Sequence, residues 1–311
     1  AHSCLDGMRS VVQDFRPDMV LVQGDTATAF YATLVAFFEG LGVGHVEAGL
    51  RSGEKWSPFP EEMFRRLADV LTDAYFAPTS GARENLLREG VPDSQIHVTG
   101  NTVVDALLTM SGVRRTPESA DLRSVLSSGR RLVLLTAHRR ESFGKPLEEV
   151  FSAVRELADR APEVDILYPV HPNPQVLGPA EELLSGHPRI VLTEPLGYLD
   201  LISALERADL VLTDSGGIQE EAPTFGTPVL VLREVTERPE GVQAGVAHLV
   251  GTNGPRIVRK ALDLLQDQLP DGEPPEPRNP FGDGRAGERI ADLVAARLLG
   301  TPRETADWDG A

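Results

Sequence analysis

The amino-acid sequence predicts an α/β protein built from two parallel-sheet domains, and three observations lead to this fold class. Short apolar strands alternate with helical segments over short loops, a pattern typical of parallel sheets. The alternation stops in a polar stretch, residues 113–130, and then restarts with the same architecture, so we expect a domain linker there. A chain of 311 residues is also long enough to form two separate cores.

The first half of the chain, residues 1–112, is predicted to form the N-terminal domain. It opens with an amphipathic helix over residues 3–15, where apolar side chains recur at helical spacing. Further helices are predicted up to Glu39, from Glu61 and over 80–89. The helix from Glu61 is predicted because a proline before two carboxylates is a typical helix start. Four short apolar runs between the helices are the predicted strands: 19–22, 43–46, 74–77 and 96–99.

The second half, residues 131–283, is predicted to form the C-terminal domain. Its helices are expected over 146–160 and from Ile218. Residues 284–311 are predicted to form a final helix, which ends near Leu299, and a frayed tail. Six apolar runs are its predicted strands: 132–135, 166–170, 190–192, 210–213, 229–232 and 248–250.

Composition narrows the class of partner. The net charge of −17 argues against nucleic acids and anionic membranes as main partners, although local arginines still permit a small anionic ligand. Cys4 is the one cysteine, so no internal disulfide forms and a reducing, cytoplasmic compartment fits. No apolar run approaches the roughly 20 residues of a membrane helix. The sequence contains no metal-ligand or ATP-binding motif, so we predict neither a metal nor another cofactor.

The stretch Ser215-Gly-Gly217 follows an apolar strand and precedes a helix. Free backbone N–H groups and the helix dipole suit such a turn to a phosphate, and two glycines let an anion approach closely. Glu221 follows within the helix, where its carboxylate can accept hydrogen bonds from a sugar hydroxyl. An ordinary strand-to-helix turn without a ligand is the alternative.

Other candidates lie where predicted strands end, because ligands of open parallel sheets bind beyond the carboxyl ends of the strands. Asp25 either caps the following helix or takes part in chemistry. Glu47 lies in an apolar setting, so its carboxylate is either paired or functional. Glu61 at a helix start is either functional or only a complement to the helix dipole.

The basic candidates lie in the second half. His138 is followed by two arginines at a strand end, which favours anion binding. Arg238 lies among acidic residues and is either functional or simply salt-bridged, and His171 lies between a strand and two prolines as a loop residue unless a ligand reaches it. The remaining histidines, including His45, have no partner that the sequence identifies and are expected to be surface or core residues.

An ordered set of motifs over nearly the whole chain resembles the non-hydrolysing UDP-N-acetylglucosamine 2-epimerases. The matching segments are Gly24-Asp-Thr26, His45-Val-Glu-Ala-Gly-Leu-Arg51, Ser57-Pro-Phe-Pro-Glu-Glu62, Gly100-Asn-Thr102, Thr136-Ala-His-Arg-Arg-Glu-Ser142, Pro169-Val-His-Pro-Asn-Pro174, Asp214 to Pro223, Thr236-Glu-Arg-Pro-Glu240 and Asn279-Pro-Phe-Gly-Asp-Gly284.

The resemblance implies two Rossmann-like domains of the glycosyltransferase-B-like type, with a UDP-sugar cleft between them and a final helix that crosses back to the N-terminal domain. It implies reversible inversion of C2 of UDP-GlcNAc to give UDP-ManNAc, by elimination of UDP to 2-acetamidoglucal and re-addition. The implied catalytic residues are Asp25, Glu47, Glu61 and His138. Those implied to bind UDP are Ser215, Gly216, Gly217, Glu221 and Arg238.

The resemblance also implies a homodimer, a role in cell-surface polysaccharide biosynthesis and, in some members, activation by UDP-GlcNAc at a second site to which His171 contributes. The family begins with a strand and a glycine-rich loop that are not found here, so we expect that an N-terminal segment is missing and that the chain without it is weakly active or inactive. Phe64 and Leu196-Gly197 also depart from the family pattern.

Three alternatives remain open from the sequence. A hydrolysing epimerase would release UDP and free ManNAc, a glycosyltransferase would share the fold, and a nucleotide-sugar-binding remnant would bind without catalysis.

Overall fold

A computed structural model describes residues 2–111, 113, 115–267 and 279–310 of the chain. The chain divides into two compact units. Unit 1 consists of Ala1–Asp105 and Phe281–Ala311, and unit 2 of Ala106–Pro280. The predicted fold class, α/β with two parallel sheets, is confirmed. Within the described residues, no helix has the length and apolar character needed to cross a membrane.

Helices and strands alternate along the described chain, as the apolar runs predict. The helices are α1 (His2–Phe15), α2 (Ala27–Phe38), α3 (Glu61–Val70), α4 (Ser80–Arg88), α5 (Thr102–Ser111), α6 (Ala120–Ser127), α7 (Lys145–Arg160), α8 (Pro174–Leu184), α9 (Tyr198–Arg207), α10 (Gly216–Glu221), α11 (Pro239–Gln243), α12 (Gly254–Asp267) and α13 (Ala286–Leu299). The strands are β1 (Met19–Gln23), β2 (Gly42–Val46), β3 (Ala74–Ala77), β4 (Ile96–Val98), β5 (Arg131–Thr136), β6 (Val164–Pro169), β7 (Ile190–Thr193), β8 (Ala208–Thr213), β9 (Val229–Val231) and β10 (Ala247–Leu249).

Unit 1 contains a four-stranded parallel sheet in the order β1-β2-β3-β4. Val22 of β1 is in register with His45 of β2, and Val46 of β2 is in register with Phe76 of β3. Because the strands are parallel and in register, the segments that follow β1 and β2 emerge at the same edge of the sheet. The first two candidate carboxylates, Asp25 and Glu47, therefore lie on neighbouring connections.

The tail after α13 packs against the sheet of unit 1, so the prediction of a frayed tail is wrong. The backbone N–H of Trp308 donates to Val98 O at 2.8 Å, and Asp307 accepts a hydrogen bond from Val98 N at 3.2 Å. The Trp308 side chain is only 6% exposed. One large aromatic side chain and two backbone contacts thus hold a segment that is otherwise polar.

Unit 2 contains a six-stranded parallel sheet in the order β10-β9-β8-β5-β6-β7. The chain starts in the middle at β5, runs outward through β6 and β7, and then returns to β8 before it runs outward on the other side. The order therefore reverses between β5 and β8, which is the point where open α/β sheets bind ligands beyond their strand ends. Apolar side chains cover both faces of the sheet, as in doubly wound folds.

The range predicted as a linker, 113–130, instead contains α6 of unit 2. Ser119 caps α6, because its hydroxyl accepts a hydrogen bond from Leu122 N at 3.2 Å. Leu122 and Val125 are buried in the core of the unit. The helix is only 8 residues long and its exposed face is polar, so composition alone resembled a loop. Most of the Pro- and Gly-rich stretch over 269–284 lies outside the described residues.

Candidate active site

The connection after β2 places the carboxylate of Glu47 against the turn that follows β1. A side-chain β-carbon built on Gly24 would lie 3.4 Å from Glu47 Oε2, so the carboxylate occupies the space that glycine leaves open. Glu47 has a φ of 69°, in the left-handed region. For a residue with a side chain this costs about 1–2 kcal/mol, and such strain collects at functional sites.

Asp25 follows Gly24 and does not cap helix α2. The cap is Thr26, whose hydroxyl accepts a hydrogen bond from Ala29 N at 3.2 Å. The Asp25 carboxylate instead accepts a hydrogen bond from Arg65 Nη2. The cap-only interpretation of Asp25 is therefore wrong, and its carboxylate lies beside the connection that carries Glu47.

The two carboxylates at the start of α3 have different environments. Glu62 is fully buried, and its Oε2 accepts a hydrogen bond from Ser52 N at 3.0 Å and lies 3.4 Å from Arg65 Nη1. Glu61 is half-buried and has no hydrogen bond or ion pair to any described residue. Glu62 Oε2 is thus committed to the fold, whereas the whole carboxylate of Glu61 is available to a ligand.

Arg65 links these groups and was missed in the sequence. Its side chain is almost fully buried and reaches Asp25 as well as Glu62. The signal was present, because a residue three positions after Glu62 lies on the same face of a helix. The target Asp25, in the turn after β1 and 40 residues earlier in the chain, was not visible from that spacing.

In unit 2, Asp214 connects the ends of β5 and β8, the two strands between which the strand order reverses. Its Oδ2 accepts backbone hydrogen bonds from His138 N at 2.7 Å and Arg139 N at 2.8 Å. Asp214 is 1% exposed, and its Oδ1 has no hydrogen bond but lies 3.6 Å from His138 Nδ1. The carboxylate therefore fixes the backbone that carries His138.

His138 and His171 lie together at this edge of the sheet. Their rings stack with centroids 5.4 Å apart and planes 10° from parallel. Burial lowers the pKa of His138 below its usual value, and the nearby His171 and Arg139 act in the same direction while Asp214 opposes them. These surroundings thus favour the neutral form of the His138 imidazole, and one face of its ring is covered by His171.

The Ser215-Gly-Gly217 turn depends on an arginine more than on a helix dipole. Helix α10 has only 6 residues, so its dipole is short. A β-carbon on Gly216 would lie 2.6 Å from Arg238 Nη1, which shows that the guanidinium packs directly against the turn. A β-carbon on Gly217 would meet nothing nearer than Glu221 Oε1 at 3.5 Å. The positive charge at this turn is therefore the side chain of Arg238, which lies 22 residues after Gly216 in the sequence.

Arg238 is held by two buried carboxylates, so the ion pairs expected from its acidic neighbours in the sequence are present. Its Nε donates to Glu220 Oε1 at 2.6 Å, and its Nη1 lies 2.8 Å from Glu237 Oε1. Glu237 also binds Arg233 at 2.7 Å. Burial would raise the pKa of Glu237, but Arg238 and Arg233 lower it to about 2. Glu237 and Arg233 were not predicted.

Glu221 differs from its neighbour Glu220. Its Oε2 is buried and has no hydrogen-bond partner, and burial raises the pKa of the carboxyl group. A buried acceptor without a donor is costly, so this group would gain from a hydroxyl donor. Glu220 is bound to Arg238, so Glu221 is the carboxylate of this pair that is available to a sugar hydroxyl.

Comparison with known proteins identifies the family. The family model described as UDP-N-acetylglucosamine 2-epimerase matches residues 2–295. A UDP-N-acetylglucosamine 2-epimerase of Yersinia pestis is 47% identical over 291 residues, which cover 92% of this chain and 77% of the relative. The Escherichia coli K12 enzyme of the same name is 45% identical and covers 93% of this chain, with 78% of its own length matched.

This chain belongs to the UDP-N-acetylglucosamine 2-epimerase family. The Staphylococcus aureus MnaA–UDP co-structure is 44% identical, with a TM-score of 0.92 over 99% of this chain and 83% of that chain. The Neisseria meningitidis UDP-GlcNAc 2-epimerase bound to UDP-GlcNAc is 36% identical, with a TM-score of 0.81 over 96% and 80%. The prediction of an isomerase is thereby confirmed at the level of the family.

Within each unit, the structure of this family member brings the predicted residues together. Unit 1 joins Asp25 and Glu47 through Gly24, while Glu61 lies on the helix that supplies Arg65. Unit 2 gathers the other predicted residues around the ends of β5 and β8: His138, His171, Ser215, Gly216, Gly217, Glu221 and Arg238. Over the described ranges, no group of three or more His, Cys, Asp or Glu side chains could hold a metal ion.

Proposed function

We propose that this chain interconverts UDP-GlcNAc and UDP-ManNAc by inverting C2 without net hydrolysis. The observation that carries the proposal is the left-handed, strained Glu47, whose carboxylate packs on the Gly24–Asp25 turn in a chain of this family. Two carboxylates at adjacent strand ends suit a reaction that removes a proton from one face of a carbon and returns one to the other.

The proposed reaction has two balanced halves. In the first, a base takes the C2 proton while the bond between C1 and the diphosphate oxygen breaks, so that UDP leaves and 2-acetamidoglucal forms. In the second, the diphosphate oxygen adds back to C1 and an acid delivers a proton to the opposite face of C2. No oxidant, metal or water is consumed.

We assign the proton transfers to the carboxylates of unit 1. Asp25, Glu47 and Glu61 are the candidates, and Asp25 is oriented by Arg65. Glu61 supports this role because it has no partner among the described residues, in contrast to Glu62. Acid–base groups of this kind typically contribute about 100- to 10,000-fold to the rate.

We assign UDP binding to unit 2. Arg238 and the backbone at Ser215, Gly216 and Gly217 would hold the diphosphate, since donors and positive charge stabilise a leaving anion. An N–H on the exposed side of the His138 ring would donate a hydrogen bond to the diphosphate. Glu221 would accept from ribose hydroxyls, because its buried Oε2 has no donor.

Three further parts of the proposal rest on the family resemblance. His171 would contribute to a second UDP-GlcNAc site, and its stacking on His138 would link that site to the diphosphate. The chain would act as a homodimer in the cytoplasm, which light scattering and cell fractionation test. Its product would enter cell-surface polysaccharide synthesis.

One experiment tests the proposed function. The protein is incubated with UDP-GlcNAc in D₂O, and C2 is followed by NMR. We expect UDP-ManNAc with deuterium at C2. Free ManNAc with UDP would instead indicate hydrolysis, whereas UDP affinity without exchange at C2 would indicate a binder or a transferase and overturn the proposal.

A further inference from the structure

A buried histidine next to the catalytic carboxylates has no role in the reaction described above. The His45 side chain is 0% exposed. Its Nδ1 lies 2.6 Å from Asp69 Oδ1, and its Nε2 lies 2.9 Å from the carbonyl oxygen of Gly24. The sequence assigned His45 no partner, and the structure places it in a network.

The two contacts determine the protonation state of His45. A carbonyl oxygen only accepts hydrogen bonds, so Nε2 must carry a proton. Asp69 also accepts hydrogen bonds from Arg51 Nη2 at 2.7 Å and Gly49 N at 3.3 Å, as expected of an ionised carboxylate, so Nδ1 donates as well. His45 is therefore a buried imidazolium.

The surrounding charges agree with this geometry. Burial alone would lower the pKa of His45, but the Asp69 carboxylate and the Gly24 carbonyl raise it, with a smaller contribution from Glu47. Burial would raise the pKa of Asp69, whereas His45 and Arg51 lower it.

Asp69 is itself anchored from the far side. Arg51 donates to Glu89 through Nε at 2.8 Å and through Nη2 at 2.7 Å, and Nη2 also holds Asp69. A chain of alternating charges thus runs from the surface carboxylate Glu89 through Arg51 and Asp69 to His45. The three inner members, Arg51, Asp69 and His45, are each held on two sides, so the imidazolium cannot move independently of the fold.

The end of this chain is the peptide group that precedes Asp25. Gly24 has a φ of 70°, its N–H donates to Val46 O at 3.0 Å, and its carbonyl accepts from His45. Both polar groups of Gly24 are thereby fixed, and Gly24 in turn limits where Asp25 and the Glu47 carboxylate lie.

We infer that His45 and Asp69 are positioning residues for the proposed epimerase reaction: the buried imidazolium holds the Gly24–Asp25 turn and places a fixed positive charge beside Asp25 and Glu47. The inference rests on the proposed function. His45 touches no substrate, so it acts only through the two carboxylates. Its loss should slow the chemical step and leave UDP binding, which unit 2 performs, unchanged.

The test combines kinetics with NMR. His45→Gln replaces the two ring donors with a neutral amide that is shorter and differently placed. Asp69→Asn keeps the shape of the Asp69 side chain and removes its charge. We expect kcat to fall about 100-fold in each, the effect of small misplacements of catalytic groups. KM for UDP-GlcNAc and the Kd for UDP should change less than about threefold. His97→Gln, on β4 of the same unit, is the control and should keep the wild-type kcat.

A second measurement is made on the wild-type protein and uses His45→Gln only to assign the signal. In the ¹⁵N-histidine spectrum of the wild-type protein, both nitrogens of one histidine should remain protonated at pH 8, and that signal should be absent from His45→Gln. A neutral His45 in active wild-type protein, or an unchanged kcat in folded His45→Gln, would overturn the inference alone. A wild-type protein without epimerase activity would overturn the proposed function and the inference with it.

Discussion

The contact between Gly216 and Arg238 predicts how a substitution at Gly216 changes the stability of the turn assigned to the diphosphate. In Gly216→Ala, the new methyl group would lie 2.6 Å from Arg238 Nη1 and 2.8 Å from its Cζ. Ordinary contact begins at 3.4 Å, so the guanidinium must retreat by the difference of 0.8 Å. A shift of that size would stretch its contacts with Glu220 at 2.6 Å and Glu237 at 2.8 Å.

The energetic cost follows from those contacts. A hydrogen bond to a charged group contributes about 1.5–3 kcal/mol, and we expect one of the two to be lost. Alanine within a helix regains up to about 1 kcal/mol relative to glycine. The net local destabilisation is therefore about 0.5–2 kcal/mol.

Hydrogen exchange read by mass spectrometry measures this locally. A loss of about 0.5–2 kcal/mol corresponds to roughly 2- to 30-fold faster exchange in peptides that cover β8 and α10, since about 1.4 kcal/mol is tenfold. The matched control is Gly217→Ala, whose methyl group meets Glu221 Oε1 at 3.5 Å, an ordinary contact. Exchange in Gly216→Ala at the wild-type or the Gly217→Ala rate would refute the reasoning.

Three further predictions concern catalysis, pH and the tail. Asp25→Asn should lose at least about 100-fold of epimerase activity in an NMR assay and keep its UDP affinity by calorimetry; unchanged turnover would remove Asp25 from the mechanism. The pKa of Glu237 is lowered to about 2, so its ionised form stabilises the fold above its ordinary pKa of 4.5, and this contribution is lost as pH falls from 4.5 towards 2. Urea unfolding should therefore find Glu237→Gln less stable than wild type at pH 7, with a gap that narrows below pH 4.5; a constant gap would contradict the assignment. Trp308→Ala should cost about 3–5 kcal/mol in urea unfolding of unit 1, whereas Trp56→Ala should cost less than about 0.5 kcal/mol, because Trp308 is 6% and Trp56 69% exposed. Equal losses would mean that the tail does not stabilise the unit.

The alternation of apolar runs and helical spacing was enough to predict two parallel sheets, because strand and helix periods are local properties of the sequence. Polar residues directly after strands must emerge at one edge of a parallel sheet, so the strand ends also predict Asp25, Glu47 and His138 as site candidates. The 8-residue helix α6 was missed because its two buried side chains are too few to set a period.

Contacts between distant residues could not be derived in this way. His45 and Asp69 are 24 residues apart, and Arg65 and Asp25 are 40 apart. Such pairs depend on how α3 packs against β1 and β2, which the sequence of either segment does not specify. The position of Arg238 beside Gly216 could not be derived either, because it is set by ion pairs with Glu220 and Glu237.

The contact between the tail and β4 has a consequence for self-association. β4 is the last strand on its side of the described sheet, and an exposed strand edge invites pairing with another chain. Trp308 and Asp307 occupy both the carbonyl and the N–H of Val98, so the groups that would template such pairing are already used. The short tail therefore protects the edge of β4 from pairing with another chain, and its removal should make the protein prone to edge-to-edge assembly.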